Sequence, residues 1–260
     1  MIPFFLMPDW YQKRVIEQEK QDLERRLNEC VPWDPKMPWK KELNLKASTY
    51  CCLNLFPKDR HPNPNNAKDG EFADSPSGDW RYVINRIPRG TKLKTWCGSK
   101  LGSVLFDGPV DVPAIYSKVR WGKELRYQEA PWMSLTPAEL LSMRTGVRFA
   151  SGHTIVAGLG LGHLLIEVTK KRSVKKVTLV EISQELIDWL YPRVKPFLEK
   201  DVEVIVGDAN HVIPGLEADA ALIDIDADYG NNEFTAPKEH IRKVWVWGTA
   251  AIGGSYDYCF

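Results

Sequence analysis

The 260-residue chain has no C-x-x-C pair, no long apolar run and no excess of either charge, and each absence removes a class of function. Its five cysteines, Cys30, Cys51, Cys52, Cys97 and Cys259, are odd in number and contain no C-x-x-C pair. With no secretion signal ahead of them, they point to reduced thiols in a cytoplasmic protein rather than to a disulfide framework. The start, MIPFFLMPDW, lacks basic residues and is broken by Pro3 and Pro8, so it reads as an apolar tail packed on the body or on a partner. It does not read as a signal peptide or a membrane span. Thirty-five basic residues against 34 acidic ones leave a net charge of +1, which gives no case for a nucleic-acid or membrane partner. His61, His153, His211 and His240 stand at no metal-ligand spacing with cysteines or acids, and no metal site is expected. Neither a G-x-x-x-x-G-K phosphate loop nor a Ser-His-Asp arrangement is marked out by spacing. What the chain does have is the 43% apolar and 27% charged content of a globular protein, together with ten tryptophans. That excess of indole suggests aromatic packing, an interface or a stacking surface.

The chain is organised around TIVAGLGLGHLLIEVTKKRSVKKVTLVE, from Thr154 to Glu181. Ile155 and Val156 run into Gly158-Leu159-Gly160-Leu161-Gly162, a helix-compatible stretch follows from Leu161 to Lys171, and Val177 to Val180 end on Glu181. The pattern is strand, glycine turn, helix, strand. Glycines permit positive φ and close approach of a ligand to backbone, and the helix start offers unpaired N–H groups. An acid at the end of the neighbouring strand can accept hydrogen bonds from two ribose hydroxyls. A nucleoside site follows. The dinucleotide fingerprint G-x-G-x-x-G needs glycine where this chain has His163, so the spacing G-x-G-x-G suits S-adenosylmethionine better than NAD.

Three further stretches complete a set. VEVIVGDA at Val202–Ala209 and ADAALIDIDAD at Ala218–Asp228 follow the VTLVEI run in order. Together, from about Gly152 to Asp228, they resemble the nucleotide-binding core of class I S-adenosylmethionine-dependent methyltransferases, and within that superfamily are most similar to the spermidine synthases. Val156, where most methyltransferases carry an acid, and the VTLVEI run favour that branch. The resemblance implies an α/β, Rossmann-like fold and S-adenosylmethionine, or its decarboxylated form, as cofactor. It places Gly158, Leu159, Gly160 and Gly162 at the cofactor's amino-acid portion and sugar, Glu181 with Ile182 at the ribose, and Asp208 and Ala209 at the adenine. Asp224 matches the acid that orients or deprotonates an attacking amine, Asp226 is an imperfect second acid, and Tyr229 and Asn231 would complete an acceptor pocket. The family's glutamine and Asp-Glu gate motif before the core is missing.

The rest of the chain divides into three parts. Residues 1–45 comprise a helix, Asp9 to Glu29, started by an Asp9/Gln12 capping box, and an extended Pro/Trp linker held by Trp33 and Trp39. Residues 46–131 form a small antiparallel β unit, with a strand over Ala47–Leu55 and a mobile polar loop over 57–79. In that unit Arg86, Arg89 and Lys92 read as solvated surface. Residues 132–260 form the Rossmann-like domain, entered by Trp132-Met133-Ser134 and by a helix that Thr136-Pro137-Ala138-Glu139 starts and Gly146 stops. Ser183 caps a second core helix, and Asp208 can cap a third in place of binding adenine. Past Ala227 the parallel sheet is expected to be short, leaving Val244-Trp245-Val246-Trp247 near an edge that another subunit or the amino-terminal helix covers.

The function these features imply is transfer of a methyl or aminopropyl group from the sulfonium cofactor to a small-molecule acceptor, with Asp224, Asp226 and Tyr229 on the reacting side. Two other expectations stand beside it: cleavage of the cofactor without an acceptor, and a non-catalytic nucleoside-binding oligomer. A homo-oligomer through the last strand or the first helix is expected. His163 either faces the ligand or serves the fold.

Overall fold

A computed structural model describes residues 5, 7–50, 53–56, 61–62, 71–97, 100–121, 124–128, 131–225, 234–235 and 239–248. The expectations on Asp226, Tyr229 and Asn231, on most of the 57–70 stretch and on residues 249–260 lie outside them. The first part of the chain forms α1 (Asp9–Asn28), β1 (Glu42–Leu45), β2 (His61–Pro62), β3 (Glu71–Asp74), β4 (Trp80–Ile87), β5 (Leu93–Cys97), β6 (Lys100–Phe106), β7 (Val110–Trp121), β8 (Glu124–Tyr127) and β9 (Met133–Ser134). The second forms α2 (Pro137–Phe149), β10 (Gly152–Ala157), α3 (His163–Lys170), β11 (Val174–Glu181), α4 (Gln184–Trp189), α5 (Tyr191–Val194), β12 (Val202–Val206), α6 (Ala209–Val212), β13 (Ala220–Ile223) and β14 (Val244–Val246). The protein is mixed α/β, with a parallel sheet in its second part.

That sheet has the order β12-β11-β10-β13-β14. The chain winds outward from β10 to β12, then crosses back to β13, so strand order reverses between β10 and β13. Its strands are apolar on both faces because helices cover both. Alternation sends Val156, Leu179 and Leu222 into one core with Leu164 of α3 and Leu186 of α4. It sends Ile155, Val180, Ala221 and Ile223 into the other, with Ala209 and Ile213. In register, Ile155 lies beside Thr178 and Ala221, so the carboxyl ends of the strands finish level with one another.

The antiparallel unit forms as expected around the eight-residue pairing of β4 with β7, but it reaches further than its sequence signals. β3 pairs with β4 and β2 with β3, inside a stretch expected to be loop, because Phe72 finds Val83 opposite it. The linker contributes β1, which pairs in parallel with β6 and buries Leu43 and Leu45. Expected strand over Ala47–Leu55 is instead a 3-10 turn at Ala47–Thr49, whose Ala47 N–H donates to Asp107 at 2.7 Å.

α1 differs at its start: Pro8 is the cap, Asp9 makes no capping bond, and the Gln12 amide donates to the Met7 carbonyl at 2.7 Å. Its Leu23 and Leu27 pack on Leu105 and beside Gly90, and Arg26 donates to Asn44. The helix thus spends Leu23 and Leu27 on the β unit, while Trp10 and Ile16 stand exposed. Two of the surface arginines are paired, Arg86 with Asp111 at 2.8 Å and Arg89 with Glu24 at 3.2 Å.

α2 begins as expected, Thr136 Oγ1 accepting from the Glu139 N–H, but it runs through Gly146 to Phe149. Gly146 is there for packing. A Cβ at that position would lie 2.6 Å from the Trp245 ring, so the missing side chain lets β14 press its indole against α2. Trp245 is 1% exposed as a result. Gly146→Ala should therefore destabilise the protein by about 1–3 kcal/mol through overpacking, although alanine is the better helix former. Urea unfolding would register it, and a gain in stability would show that Trp245 yields freely.

Candidate functional site

The carboxyl ends of β10, β11, β12 and β13 open on one cavity of about 510 Å3. It lies where strand order reverses, the place at which open α/β sheets take up ligands. Its lining includes Gly158 and Gly160 after β10, Glu181 and Ile182 after β11, Gly207 to Asn210 after β12, and Asp224 and Ile225 after β13.

Glu181 is the most constrained group in it. The side chain is 6% exposed, Oε2 accepts from the Leu159 N–H at 2.7 Å, and Oε1 accepts from the Ser183 N–H at 2.9 Å. Burial pushes its carboxyl above the usual range, and these backbone donors oppose the shift. A carboxylate offers about four acceptor positions, so two remain for a pair of hydroxyls. Ile182 beside it is 70% exposed, an apolar wall at the rim.

The glycine turn borders the cavity and also closes on protein. Gly158 (φ +92°) and Gly160 (φ +48°) take conformations that L side chains rarely adopt. Their open faces meet protein: a Cβ on Gly158 would lie 2.0 Å from the Asp224 carbonyl oxygen, and one on Gly160 2.2 Å from Met133 Sδ. The Met133 thioether also accepts from the Leu161 N–H at 3.0 Å. The glycines thus let the ends of β10, β13 and β9 close on one another at the cavity floor. Leu159 is buried and serves through its N–H, and Gly162 caps α3 against Val194; neither lines the cavity.

Asp208 takes the capping role and also stands at the cavity. It caps α6, Oδ1 accepting from the Asn210 N–H at 2.8 Å, and it lines the cavity beside Ala209, which is buried at the helix start. Asp224 lines the same cavity just past the end of β13. His163 does not. It points from α3 into a separate hollow, and burial lowers its imidazole to about 4, leaving it neutral at physiological pH.

Several lining residues had no sequence signal as a site. Trp80, Ser117 and Gln128 come from the β unit, with Ser117 Oγ donating to Gln128 Oε1 at 3.0 Å. Trp80 meets Trp132 edge to face at 6.0 Å. Glu139, noticed only as a helix-start residue, turns into the cavity instead of back to its cap. Its Oε2 accepts from the Ser134 N–H at 2.9 Å and also from the Ser134 hydroxyl. Burial, reinforced by the charge of Asp224, pushes its carboxyl up to about 8, against the opposing bonds from Ser134. Among the described residues no three His, Cys, Asp or Glu side chains gather as a metal ion would require. Nor is any helix among them long and apolar enough to cross a membrane.

No family model and no curated protein matches the chain. Solved structures similar to parts of it include a SAM-dependent methyltransferase from Thiobacillus denitrificans in complex with S-adenosyl-L-homocysteine (21% identity, 32% of this chain, 34% of that one, TM-score 0.26). Another is a SAM-dependent methyltransferase from Geobacter sulfurreducens in complex with the same compound (20% identity, 33% and 35%, TM-score 0.27). A third is a dimethyladenosine transferase from Plasmodium falciparum (22% identity, 32% and 30%, TM-score 0.28). The chain spans about a third of the length of each.

Because Glu139 holds its proton more tightly folded than unfolded between about pH 4.5 and 8, stability should fall as pH rises through that window. Glu139→Gln keeps the shape and removes the titration. Denaturation between pH 5 and 9 should show wild type losing ground to the variant as pH rises; a difference constant with pH would mean the carboxyl is not raised.

Proposed function

We propose that the protein binds S-adenosylmethionine, or its decarboxylated form, in this cavity and is a transferase acting on a small-molecule acceptor. The observation that carries the reading is the convergence of Glu181, Asp208 and Asp224 from three neighbouring strand ends on one hollow that Gly158 and Gly160 floor. Glu181, with two acceptor positions unspent, suits the ribose hydroxyls; Asp208 and Ala209, at the start of α6, suit the adenine edge; Ile182 suits the ring face. The cofactor's sulfonium would make an adjacent carbon electrophilic. The chain's own contribution is to hold two partners in line and take a proton from the acceptor. Asp224 and Glu139 share the cavity wall with Trp80 and Trp132, and an acid pair between aromatic faces suits an acceptor that carries an amine. Glu139, its carboxyl raised to about 8, can receive the proton only once it has lost its own, so turnover by that route rises with pH through that range.

Thermal-shift titration should show stabilisation by S-adenosylmethionine, its decarboxylated form or methylthioadenosine, approaching about 2.7 kcal/mol at a hundred times the dissociation constant, and none by NAD. Glu181→Gln should weaken that binding about tenfold or more, since bonds to a charged acceptor contribute about 1.5–3 kcal/mol. Asp224→Asn should leave binding nearly intact and depress turnover. Product analysis separates the chemistries: methylthioadenosine without an acceptor indicates cleavage, S-adenosylhomocysteine indicates methyl transfer. Absence of any nucleoside binding would end the proposal.

A further inference from the structure

A second cavity, about 540 Å3, borders α2 along a different stripe from the first. Helical spacing makes it. Leu140, Arg144 and Val147 recur at i, i+4 and i+7 along α2, and His163, Ile166 or Glu167, and Lys170 do the same along α3, so facing stripes of the two helices form its walls. Trp33 and Pro35 of the linker, Leu53 and Phe197 complete a mostly apolar lining. None of its lining residues borders the first cavity.

Arg144 sets this hollow apart. One guanidinium nitrogen, Nη1, donates to the Met37 carbonyl, but Nε is buried without a hydrogen-bond partner. Three other buried side-chain atoms among the described residues share that condition, on Trp39, Thr145 and Trp245; all are neutral and none lines a cavity with Arg144. Burying a cationic donor unpaired is far more costly than burying a neutral one. Among the described residues, every charged group nearby leaves it so. Asp34, whose charge reaches Arg144, turns Oδ1 to the Lys36 N–H at 2.8 Å. Glu167 pairs with Lys170 at 2.6 Å, Arg148 is of like sign, and His163 is neutral. Arg144, Lys36 and Lys170 against Glu167 leave the lining cationic, with one planar fork inside an apolar hollow.

From this pairing of an unsatisfied guanidinium with apolar walls we infer that the α2/α3 hollow is a binding site for a small amphipathic carboxylate, an acyl-chain or aryl acid. Its carboxylate would pair with the Arg144 guanidinium where that group borders the hollow, meeting its charge without reaching the enclosed Nε, and its body would lie along Leu140, Val147 and Ile166. The volume falls within the range of about 300–1,000 Å3 usual for small-molecule sites. Arginine is the residue suited to planar carboxylate recognition in such surroundings.

Isothermal titration of the full chain with decanoate and with 1-decanol tests this. Decanoate should bind one to one, at least tenfold more tightly than decanol. Arg144→Gln should erase that preference, while Val147→Phe, which narrows the hollow and leaves the charge, should weaken both ligands together. Saturating S-adenosylhomocysteine should not displace decanoate. The inference fails if wild type does not bind decanoate, if decanol binds as well, or if Arg144→Gln folds and keeps the preference. Displacement by the nucleoside would also overturn it, by placing the acid in the first cavity. Because the decanoate arms need no activity, they succeed or fail independently of the proposed transferase reaction.

Discussion

The buried carboxylate of Glu181 is the tie on which the first cavity depends. It stands at the end of β11, accepts from the N–H of Leu159 in the turn after β10, and accepts from the N–H of Ser183 before α4. Two strand ends and a helix start are thereby fixed to one side chain. Desolvating an acid is unfavourable, and here the opposing stabilisation comes from backbone donors that would otherwise be buried unpaired. The same economy leaves half its acceptor capacity directed at the cavity, so the group that closes the turn is also the one best placed to recognise a diol.

α2 extends the same logic across the fold. One stripe carries Glu139 into the first cavity, a neighbouring stripe carries Arg144 into the second, and Gly146, two residues past Arg144, admits the Trp245 ring. Each of these side chains is charged or absent where a buried helix would ordinarily present an aliphatic group. A helix under pressure only to pack has no reason to bury an acid at one end and an unpaired cation near the other, and such departures from local consistency gather at functional positions.

The chain alone carried the parallel sheet, because β-branched runs separated by a glycine turn and a helix leave few alternatives. It also carried the convergence of Gly158, Glu181, Asp208 and Asp224, since each ends or follows a strand and parallel strands end on the same side. The Thr136 and Ser183 caps were legible for a local reason: a hydroxyl reaching an N–H three residues on depends on nothing distant.

What the tertiary structure decided were contacts between segments far apart in the chain, where the same residue type serves opposite ends. Gly146 looked like a helix stop and is a seat for Trp245, 99 residues on. The glycine turn, which borders the cavity, also closes on Met133 and on the Asp224 carbonyl, contacts no local signal announces. Glu139, a helix-start residue in sequence, became a wall of the cavity because β9 brings Ser134 to its carboxyl. Local rules set which residues start helices and end strands; only packing of distant elements sets which way a side chain faces, because the energy that turns it comes from partners the local sequence does not contain.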